Sequence, residues 1–472
     1  MPELWELDRY GDEPAVIDEH GRAITYAELK KYSEEVSEAV GRRCLVFSLC
    51  QNEIGSVIGY VGFMNGGIPP VLLNSHLDSE LLDGLLSVYE PSFIWLPSDQ
   101  RERFPDMEQV YECFDYVLVR TGYKTDHQLY SELGLLLTTS GSTGSPKLVR
   151  QSYENVLDNA RAIAEYLHLD STERPISTLP MNYTYGLSII NSHLLVGAVL
   201  LMTEKTLMQK DFWSFFDEQR ATSFGGVPYT YEMLDKLKFY RKELPSLRYM
   251  TQAGGKLLPD LHEKFAMYAQ ETGKKFIVMY GQCEATARMG YLPPERTVEK
   301  KGSMGIAIPG GKFRLIDAEG KEIHEPFTVG ELVYEGRNVT LGYAETAKDL
   351  AKGDERGGIL ETGDMAQFDE DGYYYIVGRK KRFLKIYGNR VNLDEIDRLI
   401  KGRFSIEVAS AGVDDHLYIF VTDEKYVDQA KDFVVSKTKL NPAAFKVMAI
   451  DSIPKNDSGK TLYKELAKYY EG

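Results

Sequence analysis

Cysteine is scarce in this chain, with four in 472 residues: Cys44, Cys50, Cys113 and Cys283. They form no CxxC pair and no zinc-like cluster, which excludes a disulfide scaffold and suits reduced thiols in a cytoplasmic protein. Long apolar runs are also missing. The most apolar stretch, residues 187–202, is interrupted by Asn191, Ser192 and His193, and the opening residues MPELWELDRYGDEPAV carry acidic groups without an apolar segment. Neither a membrane span nor a secretory leader is expected. Basic residues are in the minority, 55 Lys+Arg against 71 Asp+Glu for a net charge of −16. A surface of that sign repels phosphate backbones and anionic headgroups, so nucleic acid is not an expected partner. Low-complexity segments and repeats of fixed period are absent too, which leaves an ordinary globular chain able to bury a sizeable core.

What is present is an alternation of short apolar runs with amphipathic stretches. Strands are expected at 45–49, 68–73, 93–96, 116–119, 135–139, 198–202 and 276–280, and helices at 25–40, 53–64, 79–89, 154–167 and 260–271. That order implies βαβ units and an α/β fold, with two similar open sheets in tandem over the first 290 or so residues. Near Gly302 the pattern changes to short alternating segments (313–316, 331–334) between Gly and Pro, as in a small antiparallel sheet or β-barrel-like subdomain. A basic cluster, Arg379-Lys380-Lys381-Arg382, then precedes an α+β stretch. Residues 379–472 are net +4 and residues 1–378 net −20, a contrast that places a domain boundary at 378/379.

The strongest local signal follows the strand at 135–139. Thr138, Thr139, Ser140, Gly141, Ser142, Thr143 and Gly144 lead through Ser145-Pro146 to Lys147, and a helix is expected beyond. Small residues let backbone N–H groups close around phosphate oxygens, hydroxyls add donors, and the lysine supplies a cation. The Walker pattern GxxxxGK[ST] does not fit, because Pro146 precedes the lysine and Leu148 follows it.

This segment resembles the phosphate loop of the AMP-forming acyl- and aryl-CoA synthetases, luciferases and nonribosomal-peptide adenylation domains. Further segments match that family in order. Ala253-Gly254-Gly255-Lys256-Leu257 resembles the turn that lies against adenine. Tyr280-Gly281-Gln282-Cys283-Glu284 resembles the YGxTE segment, with Glu284 in the position of a hard oxygen ligand for Mg²⁺. Gly330 to Gly336 and Gly342-Tyr343 fit the small subdomain and read mainly as structure. Thr362-Gly363-Asp364 matches the segment whose aspartate accepts the ribose hydroxyls, and Gly378-Arg379 matches an arginine that reaches ribose or phosphate. Lys381 falls at the hinge position, and Lys385, Gly388-Asn389-Arg390 and Glu395-Ile396 open the C-terminal domain. Pro454 to Gly459-Lys460 resembles the segment whose lysine carries adenylation.

The resemblance implies a large N-terminal lobe (1–378) that binds ATP and a carboxylic acid, followed by a small mobile C-terminal domain (379–472). It also implies two half-reactions: acid plus ATP gives acyl-AMP and pyrophosphate, then a thiol displaces AMP. Lys460 and Glu284 serve the first, rotation at Lys381 separates the two, and the cofactors are ATP, Mg²⁺ and CoA or a carrier protein's phosphopantetheine. An acyl-CoA synthetase is the leading expectation; an acyl-AMP ligase that loads an acyl carrier protein is the alternative, and an idle nucleotide-binding scaffold is third.

Departures from the pattern bear on the acid. Cys283 stands where the family has threonine, and a thiol is the weaker donor. Tyr183, in Pro180-Met181-Asn182-Tyr183-Thr184-Tyr185-Gly186, takes the position of the aromatic that gates the acid, or else belongs to the core. Thr184 follows where amino-acid-activating relatives carry aspartate, which disfavours an α-ammonium substrate. Arg288 and Met289 are placed to line the acyl pocket, with Arg288 facing either a second acidic group on the substrate or a structural ion pair.

Overall fold

A computed structural model describes residues 4–123, 127–138, 147–386, 389–413, 415–438, 440–455 and 461–470. The architecture is α/β, with a large N-terminal lobe and a smaller C-terminal domain.

The first sheet has eight strands in the order Gly342–Ala344, Leu148–Ser152, Leu133–Thr138, Pro70–Asn74, Val46–Cys50, Phe93–Pro97, Tyr116–Arg120 and Glu108–Cys113. Its central parallel strands are buried on both faces, which is why they read as unbroken apolar runs. The helix Ile54–Asn65 packs on it and is buried all round. Gly59 permits that closeness, since a Cβ there would lie 2.2 Å from the indole nitrogen of Trp95. Instead the Trp95 indole donates to the Gly55 carbonyl at 3.0 Å.

The second sheet is assembled from distant segments. Ser223–Gly226, Tyr249–Gln252 and Lys275–Tyr280 run parallel, followed by the short antiparallel strands Gly290–Tyr291 and Ile306–Ala307. Bridges at Pro175 and Ile176 join its edge to Leu200–Met202, which pairs in turn with Pro14–Asp18 and then Ala23–Thr25. The two sheets are therefore interleaved and not in tandem: residues 14–25 complete the second, and residues 342–344 complete the first. Strand pairing is long-range and leaves no mark in local periodicity, so periodicity does not reveal the order of sheets along the chain.

A third, antiparallel sheet has the order Glu322–Ile323, Lys312–Ile316, Gly330–Glu335, Ile359–Phe368, Tyr374–Arg379. The segment from 383 onward contributes a hairpin (Phe383–Ile386 with Asn389–Asn392), the helices Leu393–Phe404 and Val427–Thr438, and the sheet Val408–Val413, His416–Val421, Phe445–Ala449. Its apolar residues form a core of their own around Ile396, Ile400, Ile419 and Val434. Among the described residues no helix is long and apolar enough to cross a membrane.

Candidate functional site

The strands Leu133–Thr138 and Leu148–Ser152 pair antiparallel, with Thr138 opposite Leu148. The loop between them is therefore a hairpin connection. A second strand, and not a helix, comes directly after it; the helix Tyr153–Leu167 starts only at the Ser152 cap, where Ser152 and Asn155 form a capping box. Thr139, Ser140, Gly141, Ser142, Thr143 and Gly144 lie outside the described residues, as do Gly388 and Lys460. At the loop's exit the Lys147 ammonium sits 3.7 Å from the centre of the Tyr343 ring and 3.9 Å from a Glu345 oxygen.

Tyr343 ties that lysine to Glu284. Its hydroxyl donates to Glu284 Oε1 at 2.6 Å. Arg356 covers the same ring, with its guanidinium carbon 4.9 Å from the ring centre, and donates to the Glu284 carbonyl at 3.1 Å. One tyrosine thus holds a carboxylate and two cations around a single ring. Glu284 is half-buried and lies in the short turn Cys283–Ala285. A lone hard carboxylate beside a lysine fits a magnesium ion that takes its other ligands from phosphates and water. Among the described residues no cluster of three His, Cys, Asp or Glu offers a cage made of protein alone.

The fold of the turn is forced by Gly281. A Cβ there would lie 1.8 Å from the Ala287 carbonyl oxygen, so the chain after Glu284 doubles back tightly over Tyr280-Gly281. Thr286, at the crest, has φ +65°, a strained value for a β-branched residue. Two hydrogen bonds hold it: the Thr184 hydroxyl donates to its carbonyl, and its own hydroxyl donates to Asn338 O at 2.7 Å. Thr184 is thereby spent on holding the turn.

On the other side of Gly281 lies a buried polar group. Asp364 Oδ2 accepts from the Tyr280 hydroxyl at 2.5 Å and from Gln282 Nε2 at 2.9 Å, while Oδ1 stands 3.5 Å from Arg379 Nε. Asp364 and Arg379 are cross-strand partners in the third sheet, and this register brings them together. Burial pushes the Asp364 carboxyl above the usual carboxylate range, against the pull of Arg379.

Gly254 adopts φ +82°, and a Cβ there would meet the Tyr183 hydroxyl at 2.8 Å. Gly255 lies against Pro228, with 3.1 Å between the same hypothetical Cβ and Cγ. Lys256 points away from this turn and donates to the Ile376 carbonyl at 2.6 Å. Tyr183 precedes the helix Thr184–Leu195, and Cys283 is buried close to it. Burial raises the phenol of Tyr183.

Arg288 and Met289 do not share a pocket. They are consecutive, but their side chains enter different surroundings. Met289 is buried in the core beneath the third sheet with Met304, Phe313 and Leu332, which corrects its placement beside Arg288 in an acyl pocket. Arg288 instead enters the interior between the second sheet and the helices Tyr153–Leu167 and Thr184–Leu195. Lys381 falls in the turn Lys380–Arg382 that follows the third sheet. Tyr343 and Arg356 carry no sequence pattern of their own that marks them; only the Gly342-Tyr343 pair hints at the first.

Comparison with known proteins bears on the family and the fold. A family model described as AMP-binding enzyme matches residues 5–344. The chain is 28% identical over 358 residues to an oxalate–CoA ligase of Arabidopsis thaliana, an alignment spanning 71% of this chain and 67% of that protein. It is 23% identical to the 2-succinylbenzoate–CoA ligase of Bacillus subtilis over 96% of this chain and 94% of the relative. Among solved structures, the O-succinylbenzoate coenzyme A synthetase of Bacillus subtilis in complex with AMP superposes with a TM-score of 0.79 at 21% identity, covering 99% of this chain and 98% of that one. ATP-bound MatB of Rhodopseudomonas palustris gives 0.80 at 22% identity, with 99% of each chain covered. With the family model spanning most of its length and the fold shared end to end, the chain belongs to the AMP-binding enzymes, the superfamily of AMP-forming adenylating enzymes.

Proposed function

We propose that this protein activates a small carboxylic acid as its acyl-adenylate, releasing pyrophosphate, and passes the acyl group to the thiol of CoA. The observation that carries the reading is the Lys147–Tyr343–Glu284 cluster beside the phosphate-loop hairpin, set against Asp364 and Arg379 across the Tyr280-Gly281 turn. One end holds cations and a hard carboxylate suited to a polyphosphate, and the other offers a carboxylate acceptor suited to a vicinal diol.

In this reading the residues 138–147 hold the β- and γ-phosphates, and Gly254, Gly255 and Tyr280 flank the base. Gln282 and Cys283 lie against the α-phosphate, and Asp364 and Arg379 bind the ribose. Magnesium, held by Glu284, supplies neutralisation of charge on the phosphate oxygens. Lys147 and Lys460 add positive charge where it builds during attack of the acid on the α-phosphorus. Tyr183 borders the acid's entry. The domain boundary is placed at 378/379, and rotation about Lys381 exchanges Lys460 for the thiol channel. CoA is favoured over a carrier protein because the named relatives are CoA ligases. A cytosolic location is supported by the four cysteines, which remain thiols and form no disulfide.

The test is release of AMP and pyrophosphate with a panel of carboxylic acids, each with and without CoA. Production of AMP that accelerates only with CoA supports the proposal; ADP as product, or no turnover with any acid, refutes it. Lys460→Ala is expected to cut acyl-adenylate formation by about 100-fold or more while leaving thiolysis of supplied acyl-AMP within about threefold, measured as separate half-reactions.

A further inference from the structure

Arg288 is 3% exposed, and among the described residues its side-chain partners include no carboxylate. The groups around its guanidinium are neutral. Nε donates to Ser188 Oγ at 3.0 Å, Nη1 to the Tyr166 hydroxyl at 3.0 Å and toward Met279 Sδ at 3.4 Å, and the guanidinium carbon lies 5.3 Å from the centre of the Tyr185 ring. A buried cation without a counter-ion is costly, and native proteins retain one where a ligand supplies the missing charge.

The surroundings point the same way. Ser188 also lines an enclosed space whose wall includes Gln151, Asn159, Thr184, Asn191 and Thr286. Gln151 is 1% exposed, and neither its amide oxygen nor its amide nitrogen has a hydrogen-bond partner. The free space there is about 10 Å³, room for a single water or one oxygen of a small polar group. His193, nearby, is held neutral, its imidazole pushed down to about 3 by burial and by the charge of Arg288. The guanidinium is therefore surrounded by neutral side chains, and the Glu173 carboxylate beyond Tyr249 is paired with Arg248. The guanidinium lies along a line of contacts that starts at the adenine-side turn: Gly254 meets Tyr183, the Tyr183 ring is 6.3 Å from the Tyr185 ring, and Tyr185 faces Arg288.

We infer that Arg288, with Ser188 and Tyr166, forms a second anion subsite at the inner end of the acid pocket, so that the acids taken by this protein carry a second carboxylate or an equivalent anionic group. The inference rests on the ligase reading for what happens at the other end of the acid. It gives Arg288 a specificity role and adds no step to the chemistry.

Matched acids test it: pentanoate with pentanedioate, hexanoate with hexanedioate, and 4-phenylbutanoate with its 2-carboxyphenyl counterpart. Adenylation is followed as pyrophosphate release in wild type, Arg288→Met and Arg288→Lys. The wild type is expected to favour the diacid of at least one pair by about 100-fold in kcat/KM. In Arg288→Met that ratio collapses to about threefold or less, chiefly through KM for the diacid, and Arg288→Lys restores part of it. A ratio unchanged in a folded Arg288→Met protein overturns the inference, as does a wild type indifferent to the second carboxylate, which also decides the matter where Arg288→Met fails to fold. Should no acid be adenylated, titration calorimetry of the same acids into the AMP-loaded wild type and variant separates the two readings. Diacid-selective binding lost in Arg288→Met keeps the subsite while the ligase reading falls, and equal or absent binding of both acids overturns the subsite.

Discussion

Asp364 shows what a buried carboxylate costs the fold. Its pKa is raised because burial outweighs the help of Arg379, Tyr280 and Gln282. The native state therefore holds the proton more tightly than the unfolded chain does. The stability this group contributes is fully present below the ordinary carboxylate range and is lost as pH rises through the raised value. Asp364→Asn removes that dependence. The variant is expected to melt no lower than wild type at pH 7, and its advantage over wild type should shrink as pH is lowered toward 4.5. Under the ribose-binding role proposed for Asp364, the variant's affinity for AMP should fall by about 10–100-fold. Thermal scans at the two pH values and AMP titration by calorimetry check both halves. At this scale the letters of the site are legible in the sequence alone: the aspartate, the arginine, the glutamate and the glycine turns all stand in recognisable strings. The company they keep is not. Nothing near Tyr343 or Arg356 in sequence indicates that both reach Glu284, because the approach depends on a strand pairing nearly 200 residues apart.

That pairing is secured by Arg150, the one arginine among the largest fully buried side chains. From the strand Leu148–Ser152 it donates to the carbonyls of Tyr343 at 3.0 Å, Leu341 at 3.0 Å and Gly353 at 3.2 Å, and to the Glu355 carboxylate at 2.5 Å. A single planar fork thus fastens the segment 341–355, with Tyr343 in it, to the edge of the first sheet. Arg150→Met removes the donor these acceptors share and is expected to cost about 3 kcal/mol, read from the denaturant midpoint. Arg150→Lys recovers only part, since a point charge cannot reach all the acceptors. Elements with a one-sided apolar stripe are readable from periodicity: the helices Tyr26–Val40, Ser79–Tyr89 and Pro259–Glu271 fall within a residue of the expected bounds. The helix Thr184–Leu195 escapes that reading. It is buried on nearly every side, so its apolar residues carry no 3.6-residue stripe and merge with the run that ends at Met202.

Across the whole molecule, three contacts join the C-terminal domain and the strand leading into it to the N-terminal lobe near the Gly254-Gly255 turn. Lys401 pairs with Glu232 at 2.6 Å, the Lys455 ammonium lies 6.0 Å from the Tyr229 ring centre, and Lys256 reaches the Ile376 carbonyl. Lys455 precedes Lys460 in sequence by five residues, and the proposed function assigns this docking to the first half-reaction. The Lys401–Glu232 pair is partly exposed and worth at most about 1 kcal/mol. Glu232→Lys is expected to slow acyl-adenylate formation by about threefold and leave thiolysis as fast or faster. The reversed pair, Glu232→Lys with Lys401→Glu, should restore the first rate, and single-turnover measurement of each half-reaction distinguishes these outcomes.

The interleaving of the two large sheets has a consequence for biogenesis. As the chain leaves the ribosome, residues 14–25 emerge nearly two hundred positions before Leu200–Met202, the strand they must flank. The outer edge of Leu148–Ser152 in turn stays uncovered until residues 342–344 have been synthesised. Neither half can finish alone, so a nascent chain halted near residue 300 exposes an apolar strand edge of the kind that recruits chaperones or aggregates.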